Sequence, residues 1–255
     1  MVGKMHRFFR EPYYRVREVI YQRGAPARLS DGTSVRLHPR FLGMSPEVYE
    51  PAVTALLARH VHEGSTVIDV GAHVGLHTLM FSRRVGAAGR VIAVEPSPAN
   101  ADLLRRHLVW NACTNVRVIE AAAGHREGVT DFSYRADPTD PGGFANSLAH
   151  DIGGLKRRVS MTTLDAICDG LLPDVIKIDV EGAELLVLEG AEELLARAAP
   201  TLVIAVHPEP MRAMGAAPAD LIAFLEARGF SGHHLDGRRA IEPGFEEVFF
   251  ERLPV

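Results

Sequence analysis

Asp69 and Glu95 stand twenty-six positions apart, and each lies at the end of an apolar run, T-V-I-D-V in the first case and R-V-I-A-V-E in the second. Between them runs a short turn, Gly71 to Gly75, with a glycine at either end. Glycine lets a ligand approach the backbone closely, and the helix N-terminus that follows offers unpaired N–H groups and a positive dipole end. A turn built for a dinucleotide usually carries three glycines in a G-x-G-x-x-G pattern, and Asp69 would repel a pyrophosphate. A carboxylate there suits an amino group and a sulfonium instead. An acidic residue at Glu95 can accept both hydroxyls of a ribose. The pair therefore points to S-adenosyl-L-methionine before NAD. Ala72 and His73 inside the turn, Pro96 and Ser97 directly after Glu95, and Ala121, which opens a run of small residues with room for an adenine ring, complete the expected cofactor-binding set.

A second group of reactive side chains falls later, in D-V-I-K-I-D-V-E-G-A-E (174 to 184) and at the end of T-L-V-I-A-V-H (201 to 207). If those two strands are neighbours, about 4.8 Å apart, Asp179 and His207 share one ion or one substrate hydroxyl. An alcohol is a poor nucleophile at neutral pH, so such a site must loosen its proton. Two devices are open. A histidine, His150 or His207, acts as general base with Asp179 orienting it; or Asp179, Glu181 and His207 hold Mg²⁺ or Mn²⁺, which lowers the hydroxyl pKa. Asp179 borders both halves of the site. Asn146, Ser147 and His150, on a Gly/Pro/Asp-rich stretch from Asp137 to Gly154, and Glu181 are the candidates for holding the acceptor. Glu184 and Glu189 are expected as solvated helix positions, and the adjacent His233 and His234 as strand residues facing opposite ways.

These residues need a frame. Apolar strand runs at 67 to 70, 91 to 94, 115 to 120, 175 to 178 and 201 to 207 alternate with helical stripes, the pattern of a parallel sheet covered by helices on both faces. Ligands of such sheets bind at the C-terminal strand ends where chain order reverses. Ser45 with Pro46 and Ser97 with Pro98 read as helix starts, and Ala183 to Ala198 as one leucine-rich helix. The last segments, 230 to 241 and 245 to 252, read as an antiparallel pair with a turn near Asp236 and Gly237.

With 255 residues the chain can bury a full core, and one domain over residues 45 to 255 preceded by an arm over 1 to 44 is the expected organisation. Ser30 to Leu37 reads as a small hairpin or edge. The arm mixes aromatics with arginines. It is expected to fold against its own domain or a sister subunit, as a homodimer contact, before acting as a membrane-surface helix, because Pro12 interrupts a long amphipathic run. A net charge of -4 without a long basic run gives no general attraction to nucleic acid. Cys113 and Cys168 lack C-x-x-C spacing. The charged first residues lack a signal peptide's apolar segment and no stretch reaches a membrane span, so no stable membrane insertion and a cytoplasmic location are expected.

V-I-D-V-G-A-H-V-G-L-H-T-L, G-R-V-I-A-V-E-P-S-P, T-T-L-D and I-K-I-D-V-E-G-A-E resemble the successive blocks of the FkbM family of S-adenosylmethionine-dependent methyltransferases, over roughly residues 65 to 210. The resemblance implies a class I methyltransferase (Rossmann-like) α/β three-layer sandwich, its mostly parallel seven-stranded sheet ending in an antiparallel hairpin. It also implies methyl transfer to a hydroxyl oxygen of a sugar or polyketide-derived metabolite. Carried onto this chain, Asp69, Gly71, Gly75 and Glu95 bind the cofactor while Asp179 and Glu181 line the reaction site. A carbohydrate hydroxyl, on a small molecule or oligosaccharide, is the first expectation, because Asn146, Ser147 and Asp151 suit a polyol. A polyketide or other secondary-metabolite hydroxyl is the alternative. An NAD-dependent oxidoreductase would need a third glycine, and a non-catalytic relative would not need the acidic set.

Overall fold

A computed structural model describes residues 12–44, 46–134 and 155–252. A helix over residues 12–20 (α1) leads into a two-stranded hairpin, β1 (Ala25–Arg28) and β2 (Ser34–Leu37), and then into 3-10 turns at Pro39–Met44 and Pro46–Val48. Helix α2 starts at Pro51, later than the sequence suggested: Pro46 opens only a single turn, and Glu50 in the left-handed region (φ 42°) redirects the chain. Leu29, Val35, Leu37 and Phe41 join the same buried cluster as α2 and the sheet. The part of the arm around the hairpin is therefore packed into the core.

The central sheet has seven strands in the order β11-β12-β10-β9-β3-β4-β5: β3 Thr66–Val70, β4 Arg90–Val94, β5 Val116–Ile119, β9 Val175–Ile178, β10 Thr201–Val206, β11 Phe230–His234 and β12 Glu246–Arg252. Within it β12 runs against the others. Each core strand is rich in Val and Ile, which suits a strand buried on both faces. Ile68, Val70, Ile176, Ile178 and Ile204 point to a cluster with α6 (Glu184–Glu189), α7 (Glu192–Arg197) and α9 (Pro218–Glu226). Val67, Val91, Val175 and Val203 point the other way, to α2 (Pro51–His60), α3 (Leu76–Val85) and α4 (Pro98–Trp110). Each such side chain contributes roughly 1.5–3 kcal/mol on burial. Helices on both faces of a mostly parallel sheet, closed by the antiparallel β12, are the α/β arrangement expected. The chain runs from β3 outward through β4 to β5 and returns to β9 on β3's other side, so order reverses between β3 and β9.

Two features go beyond the sequence reading. V-S-M-T-T-L-D-A-I (159 to 167) reads as a short strand running into a helix, and β8 (Leu155–Thr162) with α5 (Leu164–Cys168) is that pair; not foreseen is that β8 joins β6 (Ala122–Ala123) and β7 (Gly128–Tyr134) in a three-stranded sheet, order β6-β8-β7, beyond β5. The other is that the helix expected from Ala183 to Ala198 is two helices, α6 and α7, broken at Gly190 and Ala191; α8 (Pro208–Ala213) follows β10. The Asp165 carboxylate accepts the N–H of Glu193 (3.2 Å) and of Leu194 (2.8 Å), donors that an unbroken helix would satisfy internally. Gly190 presses on the second sheet. A Cβ built there would lie 2.0 Å from the carbonyl oxygen of Gly124. We expect Gly190→Ala to lose about 1–3 kcal/mol, the ordinary range for overpacking, read as a lowered urea midpoint at unchanged m-value. An unshifted midpoint would mean this contact is soft.

Candidate active site

One cavity of about 460 Å³ opens over the ends of β3, β4, β9 and β10, at the reversal of chain order. Its floor begins with Asp69, 1 % exposed, whose Oδ2 accepts from the Thr78 hydroxyl at 2.5 Å while Oδ1 has no hydrogen-bond partner. Burial raises its pKa, against the pull of Lys177 and Thr78. Gly71 takes φ 79° directly beside the β9 turn, and a Cβ there would sit 1.8 Å from the Asp179 carbonyl oxygen. No other residue type fits.

The N–H groups of this turn are not left for a ligand. Gly71 and Ala72 donate to the Val94 carbonyl (2.9 and 3.0 Å), Gly75 donates to Ala72 (2.8 Å), and His73 donates to Glu95 Oε2 (2.9 Å). The turn is thereby stitched to the end of β4, and at Gly71, Ala72, His73 and Gly75 the expectation that this strand–turn–helix start presents unpaired N–H groups is corrected. Glu95, 4 % exposed, also accepts from the Ser97 N–H (2.8 Å) and Asn100 Nδ2 (3.2 Å) through Oε1. Burial pushes its carboxyl up to about 7 despite these donors. Ala72, His73, Pro96 and Ala121 line the cavity with Asp69, Gly71 and Glu95; Gly75 and Ser97 do not. Gly75 (φ 90°) packs against Leu104, and the Ser97 hydroxyl caps α4 at the Asn100 N–H (3.4 Å).

At the other end, β9 and β10 are parallel neighbours, and His207 stands between three carboxylates. Its Nδ1 lies 2.7 Å from Glu184 Oε1; its Nε2 lies 3.5 Å from Glu181 Oε2 and 3.8 Å from Asp179 Oδ1. Burial works against the imidazolium, but the Glu184 hydrogen bond and the Glu181, Glu184 and Asp179 charges raise His207 to about 9. Burial pushes Glu181 up to about 7 even though His207 attracts its charged form. One ligand atom from each of Asp179, Glu181 and His207 falls within 4.8 Å of the others, the geometry of a three-donor ion site among the described residues.

Glu184 is the chief correction here. It is fully buried, where a solvated helix position was expected, and its Oε1 accepts both His207 and the Gly182 N–H (2.9 Å). Glu189 is exposed, as expected. Sequence reasoning also passed over Lys177, 4 % exposed, whose Nζ donates to Asp179 Oδ2 at 3.0 Å. Burial lowers a lysine pKa, yet Asp179, Asp69 and Glu50 together raise this one above its usual value. Burial alone would raise Asp179; Lys177 and His207 outweigh it and hold the carboxyl below the usual range.

The period-two rule gives the signal that could have found Lys177. Lys177 shares a face with Val175, and its register partner on β3 is Asp69. Tyr49, Glu50, His77, Phe132, Phe245, Glu246 and Glu247 complete the wall. Burial keeps His77 near 3, hence neutral, and raises both Tyr49 and Glu50. Phe245 is 79 % exposed and sets its ring edge-on to His207 at 5.0 Å. Asn146, Ser147, His150 and Asp151 lie outside the described residues. His234 pairs with Glu246 (2.7 Å), and His233 stacks on Phe249.

Comparison with known proteins gives this cavity a context. The chain is 28 % identical over 159 residues to methyltransferase sdnD of Sordaria araneosa, covering 50 % of this chain and 60 % of that one. It is 28 % identical over 146 residues to the hexuronic acid methyltransferase AglP of Haloferax volcanii, covering 57 % and 58 %. The matched region thus spans less than two thirds of either relative. Among solved structures, the methyltransferase FkbM from Methylobacillus flagellatus KT aligns with a TM-score of 0.46 and 22 % identity over 73 % of this chain and 43 % of that one. The sequence model of the methyltransferase FkbM domain matches residues 69–231, from Asp69 near the end of β3 through Asp179, Glu181 and His207 into β11. With more than half its length so matched, the chain belongs to the FkbM methyltransferase family.

Proposed function

We propose that this protein is an S-adenosylmethionine-dependent O-methyltransferase acting on an uncharged hydroxyl, with a carbohydrate as the acceptor class and a divalent ion assisting. The observation that carries the reading is Asp69 Oδ1, a buried carboxylate oxygen without a partner that faces the cavity. Such an atom costs stability unless a ligand donor meets it, and the α-amino group of S-adenosylmethionine is such a donor. Glu95 keeps acceptor capacity on Oε2 for a ribose hydroxyl. Neither suits a dinucleotide pyrophosphate.

S-adenosylmethionine supplies an electrophilic methyl on a positively charged sulfur; the acceptor oxygen forms the new bond as the carbon–sulfur bond breaks with its electron pair, and the hydroxyl proton must leave. The residues of the β9 and β10 ends would align that oxygen and take charge of its proton. His207 is a protonated imidazolium at neutral pH under its three carboxylates, which disfavours it as the base in that state. A divalent cation answers the same carboxylates. The donor set fits one: Asp179, Glu181 and His207 converge, Lys177 fixes the first, and Glu184 fixes the imidazole so that Nε2 faces the site. Bound there, the ion would lower the pKa of a coordinated hydroxyl, and the imidazole among its ligands favours Mn²⁺ over Mg²⁺.

For the acceptor, the relative named as a hexuronic acid methyltransferase supports a sugar. Glu50, Glu181, Glu246 and Glu247 around the mouth oppose a carboxylate or phosphate on it, and the exposed ring of Phe245 offers an apolar face against which a sugar ring can lie. A polyketide alcohol is the reading left if sugars fail. Two free cysteines, Cys113 and Cys168, agree with a reducing, cytoplasmic setting.

Screening labelled methyl transfer onto neutral mono- and oligosaccharides, uronic acids and polyketide alcohols tests the class. Neutral sugars should be methylated fastest, and no sugar methylation beside a reactive polyketide alcohol would move the acceptor to that class. Asp179→Asn should cut kcat by roughly 10²–10⁴-fold. Its Kd for S-adenosylmethionine, by calorimetry, should stay within about threefold, so tight NAD binding in place of S-adenosylmethionine would reject the whole assignment.

Chelation gives a second expectation. EDTA should abolish turnover and Mn²⁺ or Mg²⁺ restore it, and Mn²⁺ should raise the melting temperature of the wild type but not of Asp179→Asn. Turnover indifferent to chelation would remove the ion and return the proton to a histidine.

The cofactor half makes a pH prediction. Glu95 rises from 4.5 in the unfolded chain to about 7 in the folded one, so its folded form holds a proton that the unfolded chain has released. Its contribution is fully present below about 4.5 and is lost as pH climbs through 7, on the order of 3 kcal/mol for the ligand-free protein. Urea midpoints of the wild type should fall across that window, and those of Glu95→Gln should fall less. Parallel slopes would show that Glu95 titrates normally.

A further inference from the structure

The best-defined apolar surface outside the cavity is on α1. At about 100° per residue, Pro12, Tyr13, Val16, Val19 and Ile20 fall within about 120° of arc, the width of a core-facing stripe. Here the stripe faces solvent: Tyr13 is 54 % exposed, Val16 59 %, Val19 70 % and Ile20 65 %. The opposite side of the helix is the one tied down. Glu18 accepts from Arg40 Nε at 2.9 Å and stands 3.7 Å from His38 Nε2, and the Arg40 guanidinium lies over the Tyr14 ring.

We propose that α1 docks this protein on the surface of an anionic lipid bilayer. Charge distinguishes that occupant from the others. Residues 1 to 23 hold six Lys/Arg against two Glu, a net of +4, so that the remaining chain carries -8. Arg15 and Arg17 flank the stripe on either side, and Arg23 follows. A basic-flanked apolar stripe lies in the interface plane, with its apolar face among the acyl chains and its arginines at the headgroups. The acidic remainder would be held off the same surface, which orients the molecule arm-down. A second copy fits less well, because two-fold pairing sets the same patch against itself and would oppose Arg15 and Arg17 with their own counterparts while Glu18 is committed to Arg40. Among the described residues no helix is long and apolar enough to cross a membrane, so the contact is peripheral.

The test uses the full chain and vesicles of phosphatidylcholine alone or mixed with phosphatidylglycerol, in a flotation assay at low and at raised salt. Binding is expected only to the anionic vesicles and should weaken as salt rises. The double variant V16E/I20E should bind at least roughly tenfold more weakly, with its melting temperature and S-adenosylmethionine Kd unchanged because both side chains are exposed. Failure of the wild type to bind anionic vesicles at low salt, or equal binding by the variant, would overturn the proposal. So would a concentration-dependent dimer in sedimentation velocity that V16E/I20E abolishes, which would assign the stripe to a second copy. None of these readings depends on which acceptor is methylated.

Discussion

At the meeting of β3 and β9 a buried ammonium is held among carboxylates, and the rest of the site depends on that arrangement. Asp69 and Lys177 are register partners on adjacent parallel strands, and Lys177 reaches forward to Asp179 at 3.0 Å. Removing the ammonium would take from Asp69, Asp179 and Glu50 the cation that offsets their burial, a loss that costs several kcal/mol. Because Lys177 is there, Asp179 stays ionised below its usual range while Asp69 is raised by burial. The lysine pulls both carboxylates down, and only at Asp179 does that pull outweigh burial. A backbone constraint fixes the same spot: Gly71 lets the β3 turn touch the carbonyl of Asp179, so the cofactor turn and the reaction-side turn are in direct contact.

How far this was legible in the sequence follows from what each feature depends on. The strands β3, β4, β5, β9 and β10 are short Val/Ile runs whose signal is local, and the helices α4 and α9 carry their own apolar stripes with proline at the first turn. These were readable because nothing distant decides them. The acidic residues at strand ends were readable for a related reason: in a parallel sheet the C-terminal ends gather at one edge, so position along a strand already implies a place in space. Strand position alone therefore brings Asp179 and His207 together.

The misreadings share the opposite property. Nothing between Ala183 and Ala198 forbids one helix; the break comes from Asp165, nearly thirty residues earlier, capping the second helix, and from a carbonyl at Gly124 that needs the space at Gly190. Glu184 looks like a surface glutamate by its helix context and becomes the buried partner of His207 only because β10 delivers an imidazole to it. The second sheet was hidden because β7 and β8 pair across a long intervening stretch whose composition reads as loop. Lys177 was hidden by a prejudice about types, since a lysine in a Val/Ile run reads as an irregularity until its register partner is known to be an aspartate.

The distribution of charge ties the cavity to the outer surface. The mouth is acidic because carboxylates gather at the β9 and β10 ends, and among the described residues that line it Lys177 and His207 offset them. A positively charged methyl donor would be attracted into such a field and an anionic acceptor repelled by it, so under the proposed function the same charges would serve both binding and selectivity. An acidic body is equally repelled by an anionic surface. If the chemistry takes place near such a surface, some part of the chain must carry the opposite sign and be held apart from the cavity. The arm has that sign, and its tether through Glu18 and Arg40 runs to the turn that carries Phe41, whose ring stands edge-on to His73 at the cavity wall. The basic element is therefore tethered through the turn that packs on His73, a residue of the cavity wall.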